Sequence, residues 1–222
     1  AAYNEEKYIG RSIRSLLDQS FSRDEYEIIV INDGSTDKTS YALSLFDKAI
    51  RVINNKQNLG LPSSLNIAID KSNADYIVRV DADDFVNKNF LNFLYQFIEF
   101  NDYYDSIACD YFIVDDEEKI IDRKDCLKSP IACGILFKKT DLIEIGLYDE
   151  DFFLNEEVEL RHRYLEKFKI GRLELPLYRY RKHKNNMTNN KEQLEEYEKK
   201  FKQNDNFSSW RINFLDWEIK KS

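Results

Sequence analysis

The chain has 222 residues, of which 42% are apolar and 14% aromatic, and its formal net charge is −8. This length and composition can bury one substantial hydrophobic core, so we expect a single domain over residues 1–222. The acidic balance excludes a general nucleic-acid-binding protein, because such proteins bind the phosphate backbone through clustered Lys and Arg.

Helical and strand patterns alternate over the first hundred residues. Apolar residues at helical spacing and short β-branched runs predict, in chain order, a helix at 5–19, a strand at 26–31, a helix at 41–46, a strand at 50–53, a helix at 61–69, a strand at 76–80 and a helix at 89–100. Strands that alternate with helices of this length predict a mostly parallel sheet covered on both faces.

Beyond residue 100 the alternation loosens. Strand patterns at 106–114 and 131–137 are linked by a polar, hairpin-like segment at 115–125, and a helix pattern follows at 155–168. We therefore expect mixed sheet in this half. From residue 189 the chain is rich in Lys, Glu and Asn and ends in an amphipathic stretch, which predicts a helical C-terminal tail at 189–222.

Acidic residues follow two of the predicted strands directly. Asp33 lies in an Asn-Asp-Gly-Ser turn, and Asp81, Asp83 and Asp84 fall within four residues after the strand at 76–80. Ligands of α/β sheets bind at the carboxyl ends of the strands, so we expect both turns to converge on one edge. Three close carboxylates favour a hard divalent cation shared with substrate phosphate, and a solvated turn that caps a helix is the alternative.

Taken together, these segments resemble the inverting glycosyltransferases of family 2, which have the GT-A fold and usually use nucleoside-diphosphate sugars. The resemblance rests on segments in the family's order, at Ala2–Glu5, Ile28–Thr36, Asn58–Ala68, Val80–Asp84, Cys133–Phe137 and Asn155–Leu160. It implies an α/β fold, a GT-A-like three-layer α/β/α sandwich with a mostly parallel central sheet. A Rossmann-like nucleotide-sugar-binding half would span 1–100 and a mixed acceptor half 101–188. Because the chain begins without Met, we expect the family's first strand to be missing before Ala1.

The resemblance also assigns the donor and metal residues. Tyr3 and Asp33 would bind the nucleoside base, and Asp81 the ribose or sugar. The donor-binding set is Ala2, Tyr3, Glu5, Asp33, Asn58, Asp81 and Ala82. Asp83 would be the main ligand of Mn²⁺ or Mg²⁺, with His183 as a further ligand. Asp84 would either support the metal ligands or cap the following helix.

A pair of adjacent acidic residues falls where the family has its catalytic base. Glu157 would be the base, and Glu156, Cys133 and Gly134 would lie on the acceptor side. Displacement at an anomeric carbon needs a base on the acceptor hydroxyl and an electrophile on the leaving diphosphate. Because relatives more often have Asp at the position of Glu157, Glu156 or Glu159 could compete as the base.

The function implied is sugar transfer from a nucleoside-diphosphate donor, expected to be UDP-linked, to a saccharide or lipid-linked acceptor in polysaccharide or glycolipid assembly. A nucleotidyltransferase and a non-catalytic nucleotide-sugar-binding subunit are the alternatives. The three cysteines lack CxxC spacing and no run resembles a spanning helix or signal peptide, so we expect a cytoplasmic protein. The basic cluster of Arg179, Arg181, Lys182 and Lys184 is typical of diphosphate contact or of peripheral binding to the cytoplasmic membrane face.

Overall fold

The computed structural model of the protein describes residues 1–152 and 155–183. The chain divides into two compact units, Ala1–Lys182 and His183–Ser222, and every described helix and strand belongs to the first. The predicted helical tail at 189–222 lies outside the described residues. The division of the first unit into donor and acceptor halves stays a prediction.

The described elements follow the predicted order closely over the first hundred residues. They are α1 (Ile9–Leu17), a 3₁₀ turn (Arg23–Glu25), β1 (Ile29–Asn32), α2 (Thr39–Ser44), β2 (Arg51–Asn54), α3 (Leu61–Lys71), β3 (Tyr76–Val78), β4 (Phe85–Val86), α4 (Phe90–Glu99), β5 (Ser106–Val114), β6 (Ile120–Lys124), β7 (Ile135–Lys138), α5 (Lys139–Glu144), α6 (Glu156–Lys167) and β8 (Ile170–Arg181). The sequence pattern did not predict β4, α5 or β8.

The strands form a parallel pair and a larger mixed sheet. β1 and β2 are parallel, and Ala2 makes a parallel bridge to Asn32 at the end of β1. The larger sheet has the order β3-β7-β5-β8-β4 with β6 added on β5, and among the described pairs in it only β5 and β8 are parallel. The α/β class is confirmed, but the sheet is mixed rather than mostly parallel. Parallel neighbours need a long crossover, and the short connection between β5 and β6 allows only antiparallel pairing.

Helices cover both faces of the larger sheet. Side chains alternate between faces along a strand, and Ala108 of β5 packs in a core with Leu160 and Tyr164 of α6. Its neighbour Ile107 packs in a second core with α4 residues that include Phe90. The described part of the chain therefore has three layers. None of the described helices combines the length and apolar character required to cross a bilayer.

An apolar cavity of about 460 Å³ is lined by residues of β1, β3 and α3. Its walls include Ile29, Ile77 and Ile69, and none of Asp33, Asp81, Asp83 and Glu157 lines it. The cavity is therefore separate from the predicted donor and catalytic carboxylates. The strand expected before Ala1 stays a prediction.

Only part of the predicted basic cluster lies in β8. Arg179 and Arg181 lie on this strand rather than after the sheet, and Arg181 is buried, with its Nε donating to the carbonyl of Asp83. The Arg179 guanidinium donates to the carbonyl of Pro176 and lies over the Phe112 ring. Arg181 is thus held inside the fold and is not a membrane-facing cation, and Lys184 lies outside the described residues.

Candidate functional site

Asp33 follows β1 and fixes the loop that leads into α3. Its carboxylate is 3% exposed and accepts hydrogen bonds from the Asn55 amide at 2.7 Å, the Leu59 N–H at 2.9 Å and the Gly60 N–H at 3.0 Å. A buried carboxylate needs such donors because it has lost its hydration. Asp33 therefore shapes this loop whatever it does for a nucleoside, and its base-binding role stays a prediction.

The other predicted nucleoside-binding residues gather around this loop. Ala2 is buried and exchanges backbone hydrogen bonds with β1, while Tyr3 beside it is 46% exposed. Asn58 is exposed, and its side-chain oxygen accepts a second bond from the Gly60 N–H. At Gly34, where φ is +71°, a Cβ would lie 2.5 Å from the Gln57 carbonyl carbon. Only glycine allows this close approach.

The acidic turn after β3 packs against the end of β1. Ala82 lies in one apolar cluster with Ala2 and the α1 residues Ile9 and Ile13, so the two acidic turns meet as the sequence predicts. The buried methyl group of Ala82 serves this packing. Its place in the donor site stays a prediction.

Two of the three carboxylates in the acidic turn are bound by partners within the protein. Asp81 receives two hydrogen bonds from the Arg79 guanidinium, at 2.7 and 3.2 Å. Burial raises the pKa of Asp81, but the Arg79 charge outweighs this and holds the pKa below its usual value. Asp84 is 2% exposed and accepts bonds of 2.7 Å from the Tyr178 hydroxyl and the Arg181 N–H. It joins the acidic turn to β8.

The third carboxylate, Asp83, is partly exposed and lies among other acidic groups. Burial, followed by the charges of Asp83, Asp37 and Asp81, raises the pKa of Glu5 to about 8. Carboxylates this close repel one another unless a cation neutralises them. Asp83 and Glu5 supply only oxygen ligands, which Mg²⁺ and Mn²⁺ prefer, so they fit a divalent metal.

A second group of possible ligands fits a metal poorly. Ligand atoms of Asp81, Asp84 and Cys133 lie within 4.8 Å of one another. Asp81, however, is already paired with the Arg79 cation, which would repel a metal ion. Burial raises the pKa of the Cys133 thiol well above its usual value, so this residue stays a neutral thiol. Metal-binding capacity therefore lies on the Asp83 side of the turn.

The first turn of α6 also carries three carboxylates, and two of them are paired. Glu156 is buried and accepts a bond of 2.9 Å from the Arg79 guanidinium, and Glu159 is bound by the guanidinium of Arg163. Among the described residues no Lys or Arg forms an ion pair with Glu157, and its carboxylate accepts a hydrogen bond from its own backbone N–H. Burial, followed by repulsion from Glu156, raises the pKa of Glu157 to about 7, although Arg79 opposes this. Glu157 is thus the carboxylate of this turn that can exchange a proton near neutral pH.

Arg79 is the functional residue that sequence reasoning missed. Its buried guanidinium bonds both Asp81 and Glu156, and therefore joins the acidic turn to the start of α6. Its carbonyl accepts the Gly134 N–H at 3.1 Å. The available signal was a charged residue inside the apolar run Tyr76–Val80, because such a charge is buried only with partners.

The predicted acceptor residues lie next to Arg79. Cys133 is buried beside Asp81, and a Cβ on Gly134 would lie 3.3 Å from the Tyr178 ring. The Glu156 carboxylate is used by Arg79, so its observed contact is structural. The acceptor roles of these three residues stay predictions. His183 falls in the second unit, and its metal role also stays a prediction.

The chain matches the family model described as glycosyl transferase family 2 over residues 1–206. An uncharacterized glycosyltransferase of Haemophilus influenzae is 44% identical over 105 residues, which are 46% of this chain and 32% of that protein. This chain thus aligns with about a third of that relative's length.

Two solved structures share the fold. Staphylococcus aureus TarS 1–349 in complex with UDP-GlcNAc is 22% identical, with a TM-score of 0.72 over 85% of this chain and 59% of that one. The mannosyltransferase PcManGT from Pyrobaculum calidifontis, in complex with GDP-Man and Mn²⁺, is 16% identical, with a TM-score of 0.67 over 83% of this chain and 56% of that one. The GT-A-like expectation for the fold is therefore confirmed.

Proposed function

The chain belongs to glycosyltransferase family 2, and on this basis we propose that it transfers a sugar from a nucleoside-diphosphate donor to an acceptor hydroxyl with inversion. The observation that carries the proposal is the bridge through Arg79. This bridge holds Glu156, and with it the adjacent Glu157, beside the acidic turn. A proton acceptor and a cation-attracting turn thereby lie at one site.

Glu157 is the proposed general base. As the acceptor oxygen forms its bond to the anomeric carbon, the hydroxyl proton passes to the Glu157 carboxylate, and the bond from that carbon to the diphosphate oxygen breaks. A base works best when its pKa is near the working pH, and the pKa of Glu157 is about 7. Glu156 and Glu159 are disfavoured as the base because arginines already bind their carboxylates.

Asp83 is the proposed main ligand of Mn²⁺ or Mg²⁺, with Glu5 beside it, and the metal role of His183 stays a prediction from the sequence. When bound, the cation would neutralise the negative charge that grows on the departing diphosphate. Burial, followed by the charges of Asp83, Asp37 and Asp81, raises the pKa of Glu5, and this crowding of carboxylates supports the placement. The Mn²⁺ in the PcManGT complex supports it by analogy.

The donor would bind along the loops after β1 and β3. We place Ala2, Tyr3, Asp33 and Asn58 at the nucleoside, where the exposed Tyr3 ring can stack on a base, and Asp81 with Ala82 at the sugar side. The solved neighbours carry UDP-GlcNAc and GDP-Man, so either nucleotide could be the donor's. A saccharide or lipid-linked acceptor, and a place at the cytoplasmic membrane face, remain part of this proposal.

The decisive experiment is a panel of UDP-linked and GDP-linked sugars with Mn²⁺, with Mg²⁺ and with a chelator. We expect release of the free nucleotide from one nucleotide class, with loss of turnover when the chelator removes the metal. Equal inertness toward all donors would contradict the proposal. Donor binding without turnover would instead favour a non-catalytic nucleotide-sugar-binding subunit. Release of the sugar 1-phosphate, which leaves when the nucleotidyl group is transferred, would favour a nucleotidyltransferase.

A further inference from the structure

Asn66, in the second turn of α3, binds the backbone of Tyr148 with its side-chain amide. The amide nitrogen donates to the Tyr148 carbonyl at 2.9 Å, and the amide oxygen accepts the Tyr148 N–H at 3.0 Å. A single side chain thereby satisfies both backbone groups of a residue 82 positions away in the chain. The loop between α5 and α6 is therefore held on α3 at Tyr148.

The backbone directly before Tyr148 has an unfavourable conformation. Leu147 has a φ of +63°, in the left-handed region that a residue with a Cβ atom disfavours. Such a conformation persists where the surrounding structure enforces it. The Leu147 carbonyl accepts a hydrogen bond of 2.7 Å from the Arg163 guanidinium, and Asn66 holds the next residue. Side chains of two helices thus fix the direction in which Tyr148 leaves this turn.

The Tyr148 side chain reaches the guanidinium that bridges the two acidic groups. It is buried, and its hydroxyl accepts a hydrogen bond from Arg79. Burial raises the pKa of Tyr148 to about 12, although the Arg79 charge opposes this, so the hydroxyl stays protonated at neutral pH. Asn66 is therefore connected to Arg79 through one intermediate residue.

The bridge that Arg79 forms is uneven. Asp81 receives two hydrogen bonds from the guanidinium, whereas Glu156 receives one. A guanidinium released from Tyr148 would therefore lose its contact with Glu156 before its contact with Asp81. Besides burial, the pKa of Glu157 responds to Glu156 in α6, which raises it, and to Arg79 and Asp81 after β3, which lower and raise it respectively. A weakened bridge would leave the Glu156 charge less compensated and would raise the pKa of Glu157 further.

We propose that Asn66 is a positioning residue for the transfer reaction: through the backbone of Tyr148 it fixes the guanidinium bridge, and with it the place of Glu157 beside the acidic turn. The inference rests on the proposed function, because it takes Glu157 as the base. The loop at the start of α3 is held separately, since the Gly60 N–H donates to Asp33. Loss of Asn66 should therefore impair the base and spare donor binding.

The test compares N66A with S63A, a variant one turn earlier on α3. The Ser63 hydroxyl and the Asn66 amide both donate to the Glu150 carboxylate, at 2.8 and 3.1 Å. S63A therefore removes a contact with the same loop but leaves both hydrogen bonds to Tyr148. Y148F is a second variant that keeps those backbone bonds and removes only the hydroxyl on Arg79. N66D, which can accept the Tyr148 N–H but cannot donate to the carbonyl, replaces N66A if the latter does not fold.

Protonation of Glu157 is measured by ¹³C NMR titration of the carboxyl groups in the full chain without donor, and E157Q assigns the signal. N66A and Y148F should each raise the midpoint of the Glu157 titration by at least about 0.5 pH unit, and S63A should change it by less than about 0.2. Combining N66A with Y148F should shift the midpoint no further than the larger single change, because both act on one bridge. In turnover assays at pH 8, N66A should lower kcat about tenfold and change the donor KM less than about twofold.

A residue that serves only packing would lower the melting temperature without moving the Glu157 midpoint. That result in N66A and Y148F, or an equal shift in S63A, would overturn the inference. If the donor panel shows no turnover while the midpoint moves in N66A, the positioning role holds and the proposed function is contradicted. If the panel succeeds while the midpoint and kcat of N66A are unchanged, only the positioning role is wrong.

Discussion

The acidic turn at 81–84 and the first turn of α6 are built alike. Each carries three carboxylates, and in each at least two are held by partners within the protein. In the acidic turn these are Asp81, bound by Arg79, and Asp84, bound by Tyr178 and Arg181. In α6 they are Glu156, bound by Arg79, and Glu159, bound by Arg163. One carboxylate in each group, Asp83 or Glu157, is partly exposed.

The two groups differ in what surrounds that exposed carboxylate. Asp83 lies among acidic side chains, and burial, followed by the charges of Asp83, Asp37 and Asp81, raises the pKa of Glu5 to about 8. Glu157 lies in a more enclosed place, where burial and Glu156 raise its own pKa to about 7. An excess of negative charge attracts a cation, whereas a single desolvated carboxylate attracts a proton. The same functional group is thereby suited to metal binding in one turn and to base catalysis in the other.

The largest expected effect is that of Asp83→Asn. Loss of the metal ligand should lower metal-dependent donor turnover by about 10³–10⁴-fold, or about 4 to 5.5 kcal/mol, because the leaving diphosphate loses its neutralising charge. Donor turnover is measured across a Mn²⁺ titration, with D70N, on the exposed face of α3, as the matched control. The melting temperature should not change. Full activity in D83N at ordinary Mn²⁺ concentrations would remove Asp83 from the metal site.

Glu157→Gln should lower sugar transfer by about 10²–10³-fold at pH 8, because the amide cannot accept the hydroxyl proton. Donor binding, measured by calorimetry, should be retained. E159Q provides the contrast, since it breaks the pairing with Arg163 and should lower the melting temperature. If E157Q transfers sugar at a normal rate, another residue is the base. The first turn of α6 would then not supply a catalytic carboxylate through Glu157.

The sequence predicted the two acidic groups but not the role of each carboxylate within them. Local patterns predict the alternation of strands and helices up to β3. They also predict that the acidic turn follows a strand and that the three glutamates lie at the start of a helix. Which carboxylates are paired with an arginine depends on residues brought in from elsewhere in the chain. Arg79 is 77 residues from Glu156 in the chain. Only the fold decides such pairings, so the sequence left Glu156, Glu157 and Glu159 as competitors.

The missed strand β8 has a similar cause. Its residues 172–175 alternate polar and apolar side chains as a strand should, but Gly171 and Pro176 argue against a central strand. In the structure, Pro176 lies opposite Asp110 where the register between β5 and β8 shifts. Such irregularities accommodate a proline that cannot donate to the ladder. The hydrogen bonds from Tyr178 and Arg181 to Asp84 were therefore not predicted.

The pH dependence of transfer sharpens the assignment of Glu157. A base acts in its deprotonated form, so the rate at saturating donor and metal should rise about tenfold per pH unit below pH 7 and level off above it. Because Glu156 is one cause of the raised pKa, E156Q should move the midpoint of the pH profile to lower pH. An unchanged midpoint in a folded E156Q protein would indicate that another group titrates.

The smallest effect, that of Tyr178→Phe, tests whether Asp84 is a metal ligand as well as Asp83. The Tyr178 hydroxyl donates to buried Asp84, so its loss should lower the free energy of unfolding by about 1–3 kcal/mol, measured by denaturant titration. If Asp84 only joins the acidic turn to β8, the Mn²⁺ concentration that gives half-maximal turnover should stay the same. If Asp84 were a metal ligand, removing this hydrogen bond would change its charge and position, and that concentration would shift severalfold. A shift in Y178F would therefore assign the metal to Asp84 as well as Asp83. Asp84 would then have a role in metal binding and not only a structural role.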